Sequence, residues 1–291
     1  LILAVASGKG GTGKTTVAVS LAWALASRRP ATLVDLDVEA PNAHLFLDPV
    51  WEGQETAYLP VPMVDEDACT RCGECSDICQ FKAIAVLGQA IVTFEPMCHG
   101  CAACWTICPE QCISQGRREL GQVSWGKAGR LKNLKLVMGK LRVGEAMSPP
   151  LMHRVMDRLE TDGPVIIDAP PGTSCPAMAS VGFASAVVLV TEPTPFGLYD
   201  LKLAVEAFSS LDIPMGVIIN RAGLGDDKVN DFCLQKGLPV LAQIPFDLEV
   251  AQAYSRGERL VEVRPRLDHD LIRVWDHFQG LTAADLKETG T

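Results

Sequence analysis

At 291 residues, 48% of them hydrophobic and 21% charged, the chain has ordinary globular proportions and enough length to bury a large core in one or two domains. Its formal net charge of -9 argues against general nucleic-acid binding. No stretch reaches the roughly 18 continuous apolar residues of a membrane span, and because the first residues read as a strand no signal peptide is expected. A cytoplasmic protein is therefore expected, with neither membrane nor nucleic acid as partner, and its 11 cysteines are expected mostly to bind metal, because the cytosol is reducing.

LILAVAS opens the chain as an apolar strand, and TTVAVSLAWALASRR follows with apolar residues at helical spacing. Between them GKGGTGKTT, residues 8–16, fits the phosphate-binding loop through Gly8, Gly13, Lys14 and Thr15. Such a loop needs this strand–turn–helix setting: glycines let backbone N–H groups converge on phosphate oxygens, and the helix dipole favours an anion. Lys14 is expected to reach the β- and γ-phosphates and Thr15 to offer its hydroxyl to Mg2+. A second lysine, Lys9, follows the first glycine; spacing alone leaves it open to a plain surface role.

The next strand is read as ATLVDLD, residues 31–37, ending in Asp35 and Asp37, with Pro41 and Asn42 beyond. Carboxylates at the C-terminal end of a parallel strand face the ligand crevice of an open α/β sheet. Pro49, Pro60 and Pro62 mark residues 49–62 as a linker.

Cys69, Cys72, Cys75 and Cys79 are spaced C-x2-C-x2-C-x3-C, and Cys98, Cys101, Cys104 and Cys108 repeat the pattern, with Pro109 following. This is the spacing of bacterial ferredoxins with two [4Fe–4S] clusters, in which the fourth cysteine of each run serves the other cluster. The expected sets are Cys69, Cys72, Cys75 and Cys108, and Cys98, Cys101, Cys104 and Cys79. Zinc usually draws its four ligands from two separated pairs, which these runs fit poorly. Gln80 stands where proline is usual. Cys112, Cys175 and Cys233 lie outside the pattern and are read as small buried hydrophobes, Cys175 least securely.

Charge reverses after the cysteines. From Asp65 to Glu110 seven acids face only Arg71 and Lys82, whereas from Arg117 to Arg142 there are eight Lys or Arg against Glu119 alone. Either the basic strip is a solvated hairpin or it docks the acidic segment or an acidic partner; LKLVMGKLRV alternates as strands do. SPPLMHRVMDRLE is expected to be a helix capped at Ser148. PVIID then ends in Asp168, a carboxylate placed to hold Mg2+ through water. Three further strand–helix units follow, beginning at AVVLVT, MGVIINRAG and PVLAQIPFD. Alternation of this kind implies a parallel sheet built through right-handed crossovers. The C-terminal DLIRVWDHFQGL is expected to be an amphipathic helix and the last dozen residues frayed.

KGGTGKTT, the D-x-D strand end with Pro41 and Asn42, and Asp168 followed by Pro170, Pro171, Gly172 and Thr173 together resemble the MinD/ParA/Mrp group of P-loop ATPases, in a branch with an inserted two-cluster ferredoxin domain. The fold class implied is α/β: a mostly parallel twisted sheet with helices on both faces, and an inserted ferredoxin-like α+β domain. The ATPase would occupy residues 1–59 and 117–291, the insertion 60–116.

The resemblance implies a homodimer, or a heterodimer with a paralogous ATPase, with ATP between subunits. Gly8, Lys9, Gly10, Gly11, Thr12, Gly13, Lys14, Thr15 and Thr16 would bind nucleotide, with Lys9 reaching the partner's ATP. Asn220, Arg221 and Pro245 would lie by adenine, although a strand-end Asn and a loop Pro read equally well as structural. Thr15, Asp37 and Asp168 would serve Mg2+, and Lys9, Lys14 and Asp37 catalysis. Asp35 would support the loop lysines, and Asp35, Asp37, Asn42, Asp168, Pro171 and Gly172 would form the nucleotide switches. ATP, Mg2+ and two [4Fe–4S] clusters are the implied cofactors. The expected function is maturation of a metal or iron–sulfur cofactor on a client metalloprotein. An ATP-gated reductase is the alternative, and a MinD/ParA-like positioning ATPase the third reading.

Overall fold

The computed structural model describes residues 1–160, 163–257 and 259–288. Strand β1 (Ile2–Ala6) leads into helix α1 (Lys14–Ala26) and strand β2 (Ala31–Asp35). A single helical turn, α2 (His44–Leu47), precedes the long strand β3 (Pro49–Val64). The cysteine-rich segment follows, with α3 (Glu74–Ile78), β4 (Ile84–Leu87), β5 (Ala90–Thr93) and α4 (Ala103–Ile107). Strands β6 (Ile113–Ala128) and β7 (Leu131–Leu141) return the chain to α5 (Pro149–Met156), β8 (Val165–Asp168) and α6 (Cys175–Gly182). The rest alternates: β9 (Ala186–Thr191), α7 (Pro195–Ser209), β10 (Met215–Ala222), α8 (Lys228–Lys236) and β11 (Val240–Pro245). Helices α9 (Leu248–Ser255), α10 (Leu260–Val263) and α11 (Arg266–Glu288) close the described chain. Of the tail expected to fray, residues 289–291 lie outside the described residues.

One sheet carries the order β11-β10-β9-β1-β8-β2-β7-β6-β3. From β11 to β7 every pairing is parallel; β6 and β3 join antiparallel. The parallel strands are near-continuous apolar runs because helices cover both faces. In β1, Leu3 and Val5 pack toward α1 and α11, against Val17, Leu21, Leu271 and Phe278. Ala4 and Ala6 face the other way, toward Leu151, Val181, Leu201 and Phe208 of α5, α6 and α7. That period-2 division puts the sheet between two apolar layers and leaves the strand ends to the site.

The expected linker at 49–62 is instead the body of β3. Its prolines are tolerated because β3 is the edge of the sheet. Pro60 and Pro62 are two residues apart and share one hydrogen-bonding side, which an edge strand can leave unpaired. The β3–β6 ladder runs to Val64 opposite Ile113, so residues 60–64 and 113–116 are sheet, and the cysteine segment between them is 65–112. Within it β4 and β5 form a separate two-stranded sheet. The basic strip is the β6–β7 hairpin. Its ion pairs among the described residues go to Glu52, Glu145 and Glu160, outside the cysteine segment.

Candidate functional site

The loop between β1 and α1 is shaped by two glycines in the left-handed region, Gly11 at φ 82° and Gly13 at φ 88°. A side chain at Gly8 would overlap the Asp200 carbonyl oxygen on α7, and one at Gly13 the Asn220 amide on β10. The loop is thus wedged between two other elements. Asn220 fastens it further: its Nδ2 donates to the Thr12 carbonyl at 2.7 Å, and its Oδ1 accepts from the Arg221 N–H at 2.9 Å.

A cavity of about 350 Å³ opens above the loop. Of the expected residues, Lys9, Gly10, Gly11, Gly13, Lys14, Thr15 and Thr16 line it from the loop, Asp37, Asn42 and Pro171 from the strand ends, and Asn220, Arg221 and Pro245 from the far side. Lys14 Nζ donates to Asp168 Oδ1 at 2.6 Å and lies 3.4 Å from Thr15 Oγ1, all in buried surroundings. Lys9 Nζ is 3.9 Å from Asp200 Oδ2 of its own chain.

Asp35 is wholly buried, and its carboxylate accepts backbone N–H groups of Asp37 (3.1 Å), Asn42 (3.0 Å) and Ala43 (3.0 Å). Its hydrogen bonds go to the loop after β2, whereas of the loop lysines it was expected to support, Lys14 pairs with Asp168 and Lys9 lies by Asp200. Burial, and then the charge of Asp168, push Asp35 up to about 7. Asp37 is shifted up by burial and drawn back by Lys14. Gly172, at φ 90°, donates its N–H to the Ser7 carbonyl at 2.9 Å and so ties the loop after β8 to the phosphate loop.

Three buried polar atoms here, Thr12 Oγ1, Asn42 Oδ1 and Asp168 Oδ2, have no hydrogen-bond partner among the described residues. Such atoms are costly unless something satisfies them. Beside Lys14, they fit a triphosphate with its Mg2+.

The cysteines gather around two small cavities. One is lined by the expected Cys69, Cys72, Cys75 and Cys108 together with Cys112, the other by Cys79, Cys98, Cys101 and Cys104. Each expected set of four takes three thiols from one run and one from the other, brought together by the close approach of α3 and α4. Backbone N–H groups already point at sulfur: Ala83 donates to Cys79 Sγ at 3.3 Å and Gly100 to Cys98 Sγ at 3.4 Å. Soft thiolates in fours with amide donors suit iron–sulfur clusters. Among the described residues no three His, Cys, Asp or Glu side chains converge as they would on a single metal ion.

Residues 3–261 match the CobQ/CobB/MinD/ParA nucleotide binding domain. The chain belongs to this family. An uncharacterised protein of Methanocaldococcus jannaschii is 28% identical over 274 residues, 90% of this chain and 92% of its own length. An iron–sulfur cluster carrier protein of Aquifex aeolicus is 29% identical across 91% of this chain, which spans 62% of the carrier. Among solved structures, the septum site-determining protein MinD of Pyrococcus horikoshii, with Mg-ADP, aligns at TM-score 0.60 and 22% identity, covering 97% of this chain and 96% of that one. That likeness establishes the fold.

Within this MinD/ParA-family fold, several contributors to the site carry no motif. Phe246, Asp247, Val250 and Leu260 line the nucleotide cavity from β11 onward. Glu192 holds Arg221 through a 2.6 Å ion pair. In the cysteine segment, Phe81 and His99 stack with ring centroids 3.4 Å apart beside the second cavity, where Gln80 replaces the usual proline. Cys175 is exposed at the start of α6, in a groove with His99 and His153, contrary to its expected burial. Cys233 is buried on α8, which pushes its thiol up to about 11. Cys112 is buried too, but beside other sulfurs.

No helix among the described residues is long and apolar enough to cross a membrane.

Proposed function

We propose that this chain is a nucleotide-switched, dimeric, cytoplasmic ATPase that carries two [4Fe–4S] clusters and acts in maturation or assembly of a metal or iron–sulfur cofactor on a client protein. One observation carries this reading: a phosphate-loop site and two four-cysteine sites share one framework, with β3 and β6 belonging to the ATPase sheet while bracketing the cysteine segment. Relatives named iron–sulfur cluster carrier and cytosolic Fe-S cluster assembly factor support it.

Hydrolysis would proceed by in-line attack of water on the γ-phosphate, where positioning and electrostatics carry the barrier. Lys14 would leave Asp168 for the β- and γ-phosphates, freeing the Asp168 carboxylate. Thr15, Asp37 and Asp168 would hold Mg2+, which when bound neutralises developing phosphate charge. Asp37, poised by burial against Lys14, would orient the water. Lys9, held only loosely by Asp200, would turn to the partner's nucleotide. Asn220, Arg221 and Pro245 would border adenine.

A contiguous route connects this site to the clusters. The loop held by Asp35 passes its Val38 carbonyl to Leu141 N–H at 2.8 Å, and Glu39 accepts from Ser148 at 3.1 Å. Just beyond β7, Glu145 takes a buried 3.2 Å ion pair from Arg118 of β6. Arg118 lies opposite Leu59 in the ladder, and Leu59 is packed against Gly100. Loss of γ-phosphate should relax the loop and shift how the clusters are presented. The test is affinity for an apo-acceptor protein, without nucleotide and with a non-hydrolysable ATP analogue; equal affinities would refute the coupling.

A second reading, an ATP-gated electron-transfer module, is favoured by the interleaved ferredoxin arrangement itself. A maturase raises the iron content of its acceptor, whereas a reductase changes only the acceptor's oxidation state.

A further inference from the structure

The two cysteine runs are internal repeats, and the structure follows the repeat closely. Gly73 and Ala102, at matching positions, both adopt positive φ, as do Lys82 and Gln111. The Lys82 N–H bonds the Cys79 carbonyl and the Gln111 N–H the Cys108 carbonyl, both at 3.2 Å. Strands β4 and β6 begin at the matching Ile84 and Ile113. By this correspondence Cys112 occupies the position of Ala83.

Both positions are buried, Ala83 at 3% and Cys112 at 7% exposure. Ala83 shows that the packing there requires only a small apolar residue. The second repeat has a thiol instead. Cys112 Sγ lies 3.5 Å from Cys108 Sγ and lines the same cavity as Cys69, Cys72, Cys75 and Cys108. That cavity therefore has five thiols for a group that takes four, and the extra one stands next to the single ligand contributed by the second run.

We propose that Cys112 is an alternate ligand of the first cluster, able to take the iron otherwise held by Cys108. This rests on the cluster reading given above. The exchange needs no oxidant or reductant. The iron–sulfur bond to Cys108 breaks, one to Cys112 forms, and the proton leaving the Cys112 thiol is taken up by the freed Cys108 thiolate. The iron would have the same number of sulfur ligands before and after the exchange, and no electron is transferred. One iron of this cluster thus has two interchangeable protein ligands, whereas the matching iron of the second cluster, held by Cys79 with Ala83 behind it, has one.

The repeat supplies the control. Wild type, C108A, C112A, C108A/C112A and C79A are purified anaerobically, and iron, acid-labile sulfide and the electron paramagnetic resonance of the reduced protein are measured. Binding of a non-hydrolysable ATP analogue reports that each variant is folded. Wild type should hold about eight irons. C108A and C112A should each hold about the same, C108A with an altered resonance, while C79A and the double variant fall to about four. If C108A falls to about four alongside C79A while wild type keeps eight, Cys112 is no ligand and this proposal fails alone. If wild type itself holds no iron and sulfide, the cluster reading fails and takes the proposal with it. If C108A does not bind the analogue, C108G, which also lacks a ligating side chain, is measured in its place, with the same two iron contents deciding.

Discussion

Lys14 Nζ sits 2.6 Å from Asp168 Oδ1, and the two side chains are 7% and 0% exposed. The residue that should grip phosphate is thus neutralised by the residue that should serve Mg2+, and one binding event would separate them into their two tasks. Breaking a buried pair by removing one partner is costly because the other charge is left uncompensated. Lys14→Ala should therefore abolish ATP binding and lower stability by about 3 kcal/mol. Lys14→Ala/Asp168→Ala should regain part of the stability in urea unfolding while still failing to bind. A single variant as stable as wild type would mean that the pair is not closed in solution.

The contact of Lys9 with Asp200 is longer, 3.9 Å, and both side chains are partly exposed. Pairs of this kind contribute little to stability. Lys9→Ala should leave folding and nucleotide affinity nearly unchanged. If Lys9 acts across a dimer, hydrolysis should fall by roughly a thousandfold, the scale of a transition-state cation supplied by a partner. Size-exclusion chromatography with an ATP analogue should then show monomer. Normal hydrolysis and normal dimerisation by this variant would remove Lys9 from the mechanism.

Gly8 has the Asp200 carbonyl where a side chain would go. Backbone cannot swing aside as a flexible side chain can, so Gly8→Ala should push the phosphate loop away from α7. A loss of about 1–3 kcal/mol is expected, typical of overpacking, together with weakened nucleotide binding. Gly10→Ala, with open space around it, is the comparison and should cost less stability in the same urea titration.

Cys233 gives a pH signature remote from both sites. Burial raises its thiol from 9.0 to about 11. Between those values the folded chain holds a proton that the unfolded chain has lost, so stability falls as pH rises through this window. The contribution is about 2 kcal/mol across it. Cys233→Ala should show a correspondingly flatter decline in unfolding free energy between pH 9.0 and about 11; parallel declines would mean that Cys233 ionises as freely folded as unfolded.

The α/β sheet was legible because its parallel strands are apolar throughout and alternate with helical patterns. The edge was not. Pro60 and Pro62 read as linker because proline punctuates most structure; only the edge position of β3 makes them compatible with a strand. The glycine-lysine loop, Asp168 and both cysteine runs announced themselves through residue type at short spacing. Asn220 was visible, but not its hold on the Thr12 carbonyl, a contact across 208 residues. Cys112 was passed over for a related reason: its meaning lies in the sulfur beside it, which depends on how the segment folds back.

Transfer of iron tests the central claim most directly. The protein is loaded anaerobically with radioactive iron and sulfide, mixed with an apo-acceptor that needs a [4Fe–4S] cluster, and given Mg-ATP; the iron on each protein is counted after separation. The account predicts that iron moves to the acceptor with ATP and stays in place without it, or when Lys14 is replaced by alanine. Iron that remains with the donor under every nucleotide condition, while a preloaded acceptor becomes reduced, would contradict maturation and establish electron transfer instead.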